Sequence, residues 1–214
     1  LKCPDKLGEA LFGRRAGLGA ADYVRALASR PAVSQEAIDS AAALALAPFK
    51  GPQGKAKPEN AYTLHAELQQ TMNDLVGIIR TAPEIQQALD KIDEFKVRYA
   101  NIEADGKRPF NPGWHLAIDM RNMLLVSECV AKAALARTES RGGHTRDDHP
   151  AMDAEWRRTL LVCRAENDDV IPDVSVTREL QTPVRPDLLE LFEAEELNKY
   201  FTDEELAQHP GRRT

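Results

Sequence analysis

The chain has 214 residues, of which 43% are hydrophobic and 29% are charged, and its formal net charge is −6. This composition is typical of a globular protein and excludes an intrinsically disordered chain. No apolar run approaches the roughly 18 to 20 residues that a membrane helix needs, and no leader segment indicates secretion. The negative net charge argues against nucleic acid as a partner.

The three cysteines, Cys3, Cys129 and Cys163, are odd in number and follow no recognisable spacing. They therefore do not indicate a disulfide framework or a thiolate zinc site made within this chain. Unpaired cysteines of this kind are typical of a reducing compartment.

The first predicted part of the chain, residues 1–57, contains two helices and a linker. Residues 7–29 are rich in Ala and Leu and predict a helix, although Gly13, Gly17 and Gly19 weaken this prediction. Ser34 is a suitable N-cap for a second helix, which Pro48 is expected to end. Residues 49–58, FKGPQGKAKP, have two Gly, two Pro, three Lys and no apolar period, so a linker is predicted there.

The second predicted part, residues 58–140, has the periodicity of three long helices joined by short connections, which predicts a helical bundle and a mainly α fold. The middle of the third helix is apolar on nearly all sides, so Leu124 is predicted to be buried. The apolar stripes of the first two helices are Leu64, Leu68, Met72, Leu75 and Ile79, followed by Ile85, Leu89, Ile92, Phe95, Tyr99 and Ile102.

The third predicted part, residues 141–214, is a loop followed by two strands and a tail. RRTLLVCR at 157–164 and VSVTREL at 174–180 predict the two strands of a hairpin. The tail segment 187–208 carries eight acidic residues and one Lys, which is typical of a solvated surface helix.

The densest group of chemically functional residue types lies in ESRGGHTRDDHP, residues 139–150. Arg141, His144, Arg146 and His149 lie within nine residues, beside two aspartates. Such arginines can bind a dicarboxylate or a phosphate. They can also form a structural ion-pair hub that holds the preceding helix to a neighbour, which the spacing favours. Gly142 and the glycine after it are expected to cap the third helix in the left-handed conformation.

Other site types have weaker support in this sequence. His144 and His149 with Asp147 or Asp148 supply metal-ligand types but no typical ligand spacing, so no metal site is predicted. The chain also has no Gly-rich dinucleotide motif after a strand, no P-loop and no nucleophile elbow.

The loop ESRGGHTRDDHP follows a long helix that ends VAKAALART, and together they resemble the signature after the last bundle helix of succinate dehydrogenase and fumarate reductase flavoprotein subunits. Gly143 and His149 are variants within that signature. Upstream, FGRRAG at 12–17 is similar to the end of a family helix, and the tail resembles the actinobacterial type. The resemblance covers nearly the whole chain. It implies a three-helix, spectrin-repeat-like bundle with additional N-terminal helices, a small C-terminal β-hairpin and a tail.

In this family the FAD-binding and capping domains precede the segment that FGRRAG resembles, and they carry the flavin and substrate residues. The resemblance therefore implies a parent subunit that oxidises succinate to fumarate, or the reverse, with FAD. This chain would buttress that site. Asp5 and Lys6 stand where the family has a Ser-Leu pair that contacts the flavin. No catalytic, cofactor-binding or metal-binding residue is therefore assigned within this chain, which is expected to bind no FAD alone and to be inactive in isolation.

The resemblance also implies partners and a location. The partners are the FAD-binding domain of the same subunit, an iron–sulfur subunit that receives the electrons and, indirectly, membrane anchor subunits. The complex would lie in the cytoplasm, peripheral to the inner face of the cell membrane. Arg141, His144 and Arg146 are expected at the interface with the FAD-binding domain, where they would support the site by tethering the bundle.

Two alternatives remain open. L-aspartate oxidase belongs to the same superfamily and shares an ESRG-type motif, although the tail disfavours it. A stand-alone helical interaction module without catalysis is the alternative from another class. The genomic sequence immediately upstream of Leu1 distinguishes them, because a Gly-rich flavin motif there would indicate a flavoprotein parent.

Overall fold

The computed structural model describes residues 4–52, 56–182, 192–193, 195, 197–198 and 201. By its internal contacts the chain divides into two units, residues 1–43 and 44–214. The three-part division at residues 57 and 140 is based on composition and periodicity, and it stays a prediction.

The first unit contains helix α1, Pro4–Ala26, and most of helix α2, Gln35–Leu46. The Ser34 hydroxyl accepts a hydrogen bond from the Ala37 amide at 3.1 Å, which confirms the predicted N-cap. Within residues 13–43 no side chain is buried. The apolar side chains on these helices that lie in water include Leu18, Tyr23, Val24 and Ile38.

The second unit is built on three helices that each pack against the other two: α3, Ala61–Leu75, α4, Ala82–Tyr99, and α5, Pro112–Ala136. Asn60 and Asn111 cap α3 and α5 with their side chains, and Thr81 and Glu84 form a capping box on α4. Leu124 is fully buried, as predicted. The core between the helices contains Leu64, Leu68, Ile85, Ala88, Leu89, Ile92, Phe95, Ala117, Met120, Leu124 and Ala131. This architecture confirms the predicted mainly α fold.

The predicted apolar stripes extend beyond two of the helix ends. Ile79 is 64% exposed, because α3 ends at Leu75 and Ile79 lies instead in strand β1, Ile79–Arg80. A Cβ atom on Gly77 would lie 2.6 Å from the Asn73 carbonyl oxygen, so this turn out of α3 needs a glycine. Ile102 is buried as expected, but it follows α4 and forms an isolated bridge with Glu59.

The predicted linker 49–58 is partly structured. A 3₁₀ helix spans Ala47–Lys50, and Pro48 within it is buried. The Phe49 ring packs on Trp114 with 5.2 Å between ring centroids, and the Trp114 indole donates a hydrogen bond to the Ala45 carbonyl. The start of the segment is therefore held against α5, because its one aromatic residue finds a partner that the sequence pattern does not indicate.

After the bundle come a short strand β2, Thr145–Arg146, a single turn of helix α6, Ala154–Arg157, and a hairpin of β3, Thr159–Ala165, and β4, Val174–Leu180. The hairpin confirms the predicted antiparallel pairing, with Thr159 opposite Leu180. The predicted acidic helix at 187–208 lies almost entirely outside the described residues. Within the described part of the chain, no helix is both long and apolar enough to cross a membrane.

A buried ion cluster joins the bundle to the hairpin. Glu128 is only 2% exposed on the otherwise apolar α5, and its two carboxylate oxygens lie 2.6 Å from Lys96 Nζ and 2.7 Å from Lys132 Nζ. Lys132 also donates to the Val174 carbonyl at the start of β4. Burial lowers the pKa of Lys96, but the hydrogen bond and charge of Glu128 outweigh it, so the net pKa is raised.

Two of the cysteines lie next to each other although they are distant in sequence. Cys163 on β3 donates a weak hydrogen bond to the Cys129 carbonyl on α5, with 3.8 Å between sulfur and oxygen. Both thiols are free. Burial, and then the neighbouring Cys163, raise the pKa of the Cys129 thiol, so it stays protonated at neutral pH.

Candidate functional site: the cluster that follows the bundle

The segment after α5 folds back on the end of that helix. Arg141 and His144 form an isolated bridge in which the Arg141 amide donates to the His144 carbonyl at 2.8 Å, and the reverse bond is 3.0 Å. Gly142 lies inside this turn with φ of 59°, a left-handed conformation that favours glycine. The expected glycine cap of α5 is therefore wrong: the helix has already ended at Ala136, and Gly142 makes the later turn.

The centre of the cluster is Glu139, whose side chain is fully buried. One carboxylate oxygen accepts hydrogen bonds from Arg137 Nε at 2.9 Å and Arg141 Nε at 3.0 Å. The other accepts from Arg141 Nη2 at 3.0 Å and from the Asp153 amide at 2.9 Å. Burial raises the pKa of Glu139, but these donors outweigh it and hold the pKa at about 2. Glu139 is therefore a permanent anion at physiological pH.

Arg146 is the most deeply buried arginine of the cluster, at 1% exposure. Its Nε and Nη2 atoms each donate to one oxygen of Asp148 at 2.7 Å. Its Nη1 atom donates to three carbonyls at the end of α5, those of Ala134, Leu135 and Arg137. These carbonyls have no partner within the helix and carry the negative end of its dipole, so Arg146 satisfies and neutralises the helix terminus.

His144 meets Arg146 at the same helix end. With its proton on Nε2, the ring donates to the Arg137 carbonyl at 3.1 Å. Burial lowers the pKa of His144, and the cations Arg80, Arg137 and Arg146 lower it further, so the imidazole is neutral at pH 7. The structure thus brings all three predicted site residues together, but only Arg141 and Arg146 carry charge.

The cluster also contacts the start of α4. Strand β2 pairs in parallel with β1, which sets Arg80 opposite Arg146. Asp148 accepts a hydrogen bond from the Ala82 amide at 3.0 Å, and its ion pair with Arg146 holds the pKa of its carboxyl well below the usual range. The ion-pair hub predicted from the spacing is confirmed: the loop joins the end of the third bundle helix, α5, to the start of α4.

Sequence reasoning missed part of this site. The sequence pattern marks Glu139 as a motif position but does not indicate that it is the buried anion that organises the two arginines around it. Arg80 was not identified at all, because its place depends on a strand pairing between residues far apart in the chain. In the part of the chain that the structure describes, no three His, Cys, Asp or Glu side chains are grouped so that they could hold a metal ion.

The turn from β1 into α4 can be compared with an FAD-binding turn. The strand β1 leads into helix α4, as a strand does in a dinucleotide-binding unit, but the connection carries no glycine-rich turn. Its backbone amides already donate to carboxylates, Thr81 to Glu84 at 2.8 Å and Ala82 to Asp148. These carboxylates would repel a pyrophosphate, so the start of α4 does not fit this cofactor.

Comparison with known proteins places the site in a family. Residues 65–193 match the family model described as the C-terminal part of fumarate reductase flavoproteins. A chain of the Mycobacterium smegmatis Sdh1 complex in the apo form is 68% identical with a TM-score of 0.85, over 93% of this chain and 33% of that chain.

Two curated relatives match at lower identity. The fumarate reductase flavoprotein subunit of Mycobacterium tuberculosis is 29% identical over 75% of this chain and 28% of its own length. The L-aspartate oxidase of Acinetobacter baylyi is 36% identical over 44% of this chain and 16% of its own length. The chain thus spans a third or less of each protein it is compared with here. The family match covers more than half of the chain, and it includes the bundle from His65 onward, the ion-pair cluster and the hairpin. The chain therefore belongs to the family of fumarate reductase flavoprotein C-terminal domains.

Proposed function

We propose that this chain is the C-terminal third of an FAD-dependent flavoprotein that oxidises succinate to fumarate, or catalyses the reverse reaction, and passes the electrons to an iron–sulfur subunit. The observation that carries the proposal is the 68% identity to a chain of the M. smegmatis Sdh1 complex over 93% of the residues. FAD and the substrate would bind on the part of the polypeptide outside this chain, since this sequence has no Gly-rich dinucleotide motif after a strand.

The chain's own contribution is to hold its domain against the flavin-binding part. Two observations support this role. The first is that helices α1 and α2 bury no side chain within residues 13–43 and leave apolar groups such as Tyr23 and Val24 in water. The second is the rigid cluster around Glu139, where the guanidinium of Arg141 is fixed but remains 21% exposed.

The three residues predicted at the domain interface divide between two tasks. Arg146 is enclosed by its own chain, so it does not reach a neighbouring domain and instead stabilises the C-terminal end of α5. Arg141 and His144 are partly exposed, and they are the proposed contacts with the neighbouring domain.

The finer details of the assembly belong to the same proposal. The partners would be the FAD-binding domain, the iron–sulfur subunit and, indirectly, membrane anchor subunits. The complex would lie on the cytoplasmic side, at the inner face of the cell membrane. The match to the M. smegmatis complex supports a multi-subunit assembly of this kind.

The experiment that tests the proposal is an assay of the longer flavoprotein with succinate and an artificial electron acceptor. We expect turnover with succinate and none with L-aspartate. Oxidation of L-aspartate instead would favour the L-aspartate oxidase alternative, which the 36% identity over 95 residues supports. A start codon immediately before Leu1, with no flavin motif upstream, would favour the helical interaction module.

A further prediction concerns the isolated chain. We expect the purified 214-residue protein to retain no FAD and to oxidise no succinate, because the amides at the start of α4 are already occupied by carboxylates. The measurement is flavin absorbance after desalting in the presence of added FAD. Flavin absorbance that stays with the protein would contradict the prediction.

Replacing Arg141 by alanine tests the tethering role. Each charged hydrogen bond lost costs roughly 1.5 to 3 kcal/mol, and the bonds to Glu139 hold the loop in place. In the longer flavoprotein we expect Arg141→Ala to reduce flavin content or subunit assembly, while the molecules that keep flavin turn over normally. The control is Arg164→Ala, which removes an exposed ion pair with Glu179 on the hairpin. Normal flavin content with a large fall in turnover would refute tethering.

A further inference from the structure

Arg80 is a half-buried cation for which the described part of the chain provides no anion. Its Nε atom is buried and has no hydrogen-bond partner. The guanidinium forms no ion pair with any of the described residues. A buried donor without an acceptor, on a charged group, is costly and therefore rare in a finished structure.

The neighbours of Arg80 make the imbalance worse. It lies opposite Arg146 in the β1–β2 ladder, so two guanidinium groups occupy adjacent positions. Burial, and then the charge of Arg146, lower the pKa of Arg80. The described cations nearby are four arginines, Arg80, Arg137, Arg141 and Arg146. The Asp147 amide donates to the Arg80 carbonyl, but the Asp147 carboxylate is exposed and forms no ion pair with Arg80. The two remaining carboxylates of the cluster are Glu139 and Asp148.

Both of these carboxylates are already committed. Glu139 accepts hydrogen bonds from Arg137, Arg141 and the Asp153 amide. Asp148 is held by Arg146 through both of its oxygens and also accepts the Ala82 amide. Neither can turn to Arg80 without leaving a buried donor unsatisfied. Among the residues that the structure describes, therefore, no carboxylate pairs with Arg80.

We infer that Arg80 receives a carboxylate side chain from the part of the flavoprotein polypeptide that lies outside this chain. The inference rests on the proposed function, in which this chain is about a third of a longer subunit. A carboxylate on a packed protein surface fits better than a free anion. Arg80 lies on a two-residue strand at the surface, and only a covering surface would exclude water from the pair and make it strong.

This pairing makes Arg80 an electrostatic contact between the two parts of the polypeptide, beside the proposed contacts Arg141 and His144. It also predicts opposite effects of one substitution in two settings. In the 214-residue chain, Arg80→Gln removes a cation that has no anion among the described residues and relieves its repulsion with Arg146. In the longer flavoprotein, the same substitution leaves the incoming carboxylate buried without a partner.

The test compares Arg80→Gln in the 214-residue chain, which contains its own bundle core, and in the longer flavoprotein. The readouts are the unfolding midpoint and hydrogen exchange at the Asp147 amide, which donates to the Arg80 carbonyl. We expect the midpoint of the chain to stay or rise and its exchange to be unchanged. In the flavoprotein we expect a lower midpoint and exchange faster by about tenfold or more, equivalent to 1.4 kcal/mol. Arg80→Lys, which keeps the charge, should restore part of the loss.

Arg98→Gln is the matched control, because Arg98 pairs with Glu59 and Glu67 inside this chain. This substitution should therefore be destabilising in both settings. An effect of Arg80→Gln with the same sign in both settings would overturn the inference.

Titration of the chain with sodium succinate and sodium phosphate at constant ionic strength provides the second arm of the test. Protection of Asp147 by either salt, absent in Arg80→Gln, would assign the site to a free anion and overturn the pairing with a side chain. Neither readout depends on turnover, so a failure of the succinate assay would leave this test interpretable.

Discussion

Replacing Glu139 by alanine is expected to lower the free energy of unfolding of the chain by about 3 to 5 kcal/mol, the range for breaking a buried ion pair. The carboxylate is fully buried, and its loss leaves Arg137 and Arg141 without their shared anion and the Asp153 amide without an acceptor. Urea unfolding followed by circular dichroism measures the change. Glu94→Ala is the control, because Glu94 is exposed on α4 and should change the free energy by less than about 0.5 kcal/mol.

The same carboxylate predicts a pH dependence. Its pKa is lowered from the ordinary 4.5 to about 2, so the folded protein holds the proton more weakly than the unfolded chain does. The stabilisation is therefore fully present above about pH 4.5 and is lost as the pH falls toward 2. A shift of this size corresponds to roughly 3 kcal/mol. We expect the difference in unfolding free energy between the wild type and Glu139→Gln to shrink over this interval. A difference that stays constant down to pH 2 would show that the charge of Glu139 does not stabilise the fold.

Leu124→Ala is the second substitution with a large expected effect. Leu124 is fully buried between the bundle helices, so its truncation removes apolar burial and leaves a cavity. We expect a loss of about 2 to 5 kcal/mol in the free energy of unfolding. Val126→Ala on the same helix is the matched control, because Val126 is 59% exposed and its truncation should cost under about 0.5 kcal/mol. Equal effects of the two substitutions would mean that the packing of α5 is wrongly assigned.

Both results bear on the function, because the bundle and the cluster support each other. The end of α5 supplies the carbonyls that hold Arg146, and the core around Leu124 holds α5 in place. A bundle weakened at Leu124 should therefore also loosen the loop that carries Arg141 and His144. In the longer flavoprotein, the proposed contacts with the FAD-binding part depend on this rigidity.

The sequence by itself determined the helices of the bundle, the hairpin and the composition of the cluster. Helical stripes and N-caps are local properties, so Leu124 and Ser34 could be placed from their neighbours within a few residues. The hairpin strands are also close in the chain, and their alternation marks them. The excess of arginine and histidine after α5 could be read directly, and it correctly indicated an ion-pair hub.

Only the tertiary structure decided which charges meet. Ala82 and Asp148 are hydrogen-bonded although they are 66 residues apart, and the β1–β2 ladder beside them has two residues on each strand. Pairing this short leaves no alternation that a sequence pattern can detect, and a cation's partner depends on which segments the fold brings within a few ångströms. The structure therefore placed Ile79 in a strand, enclosed Arg146, made Glu139 the central anion and left Arg80 without an anion among the described residues.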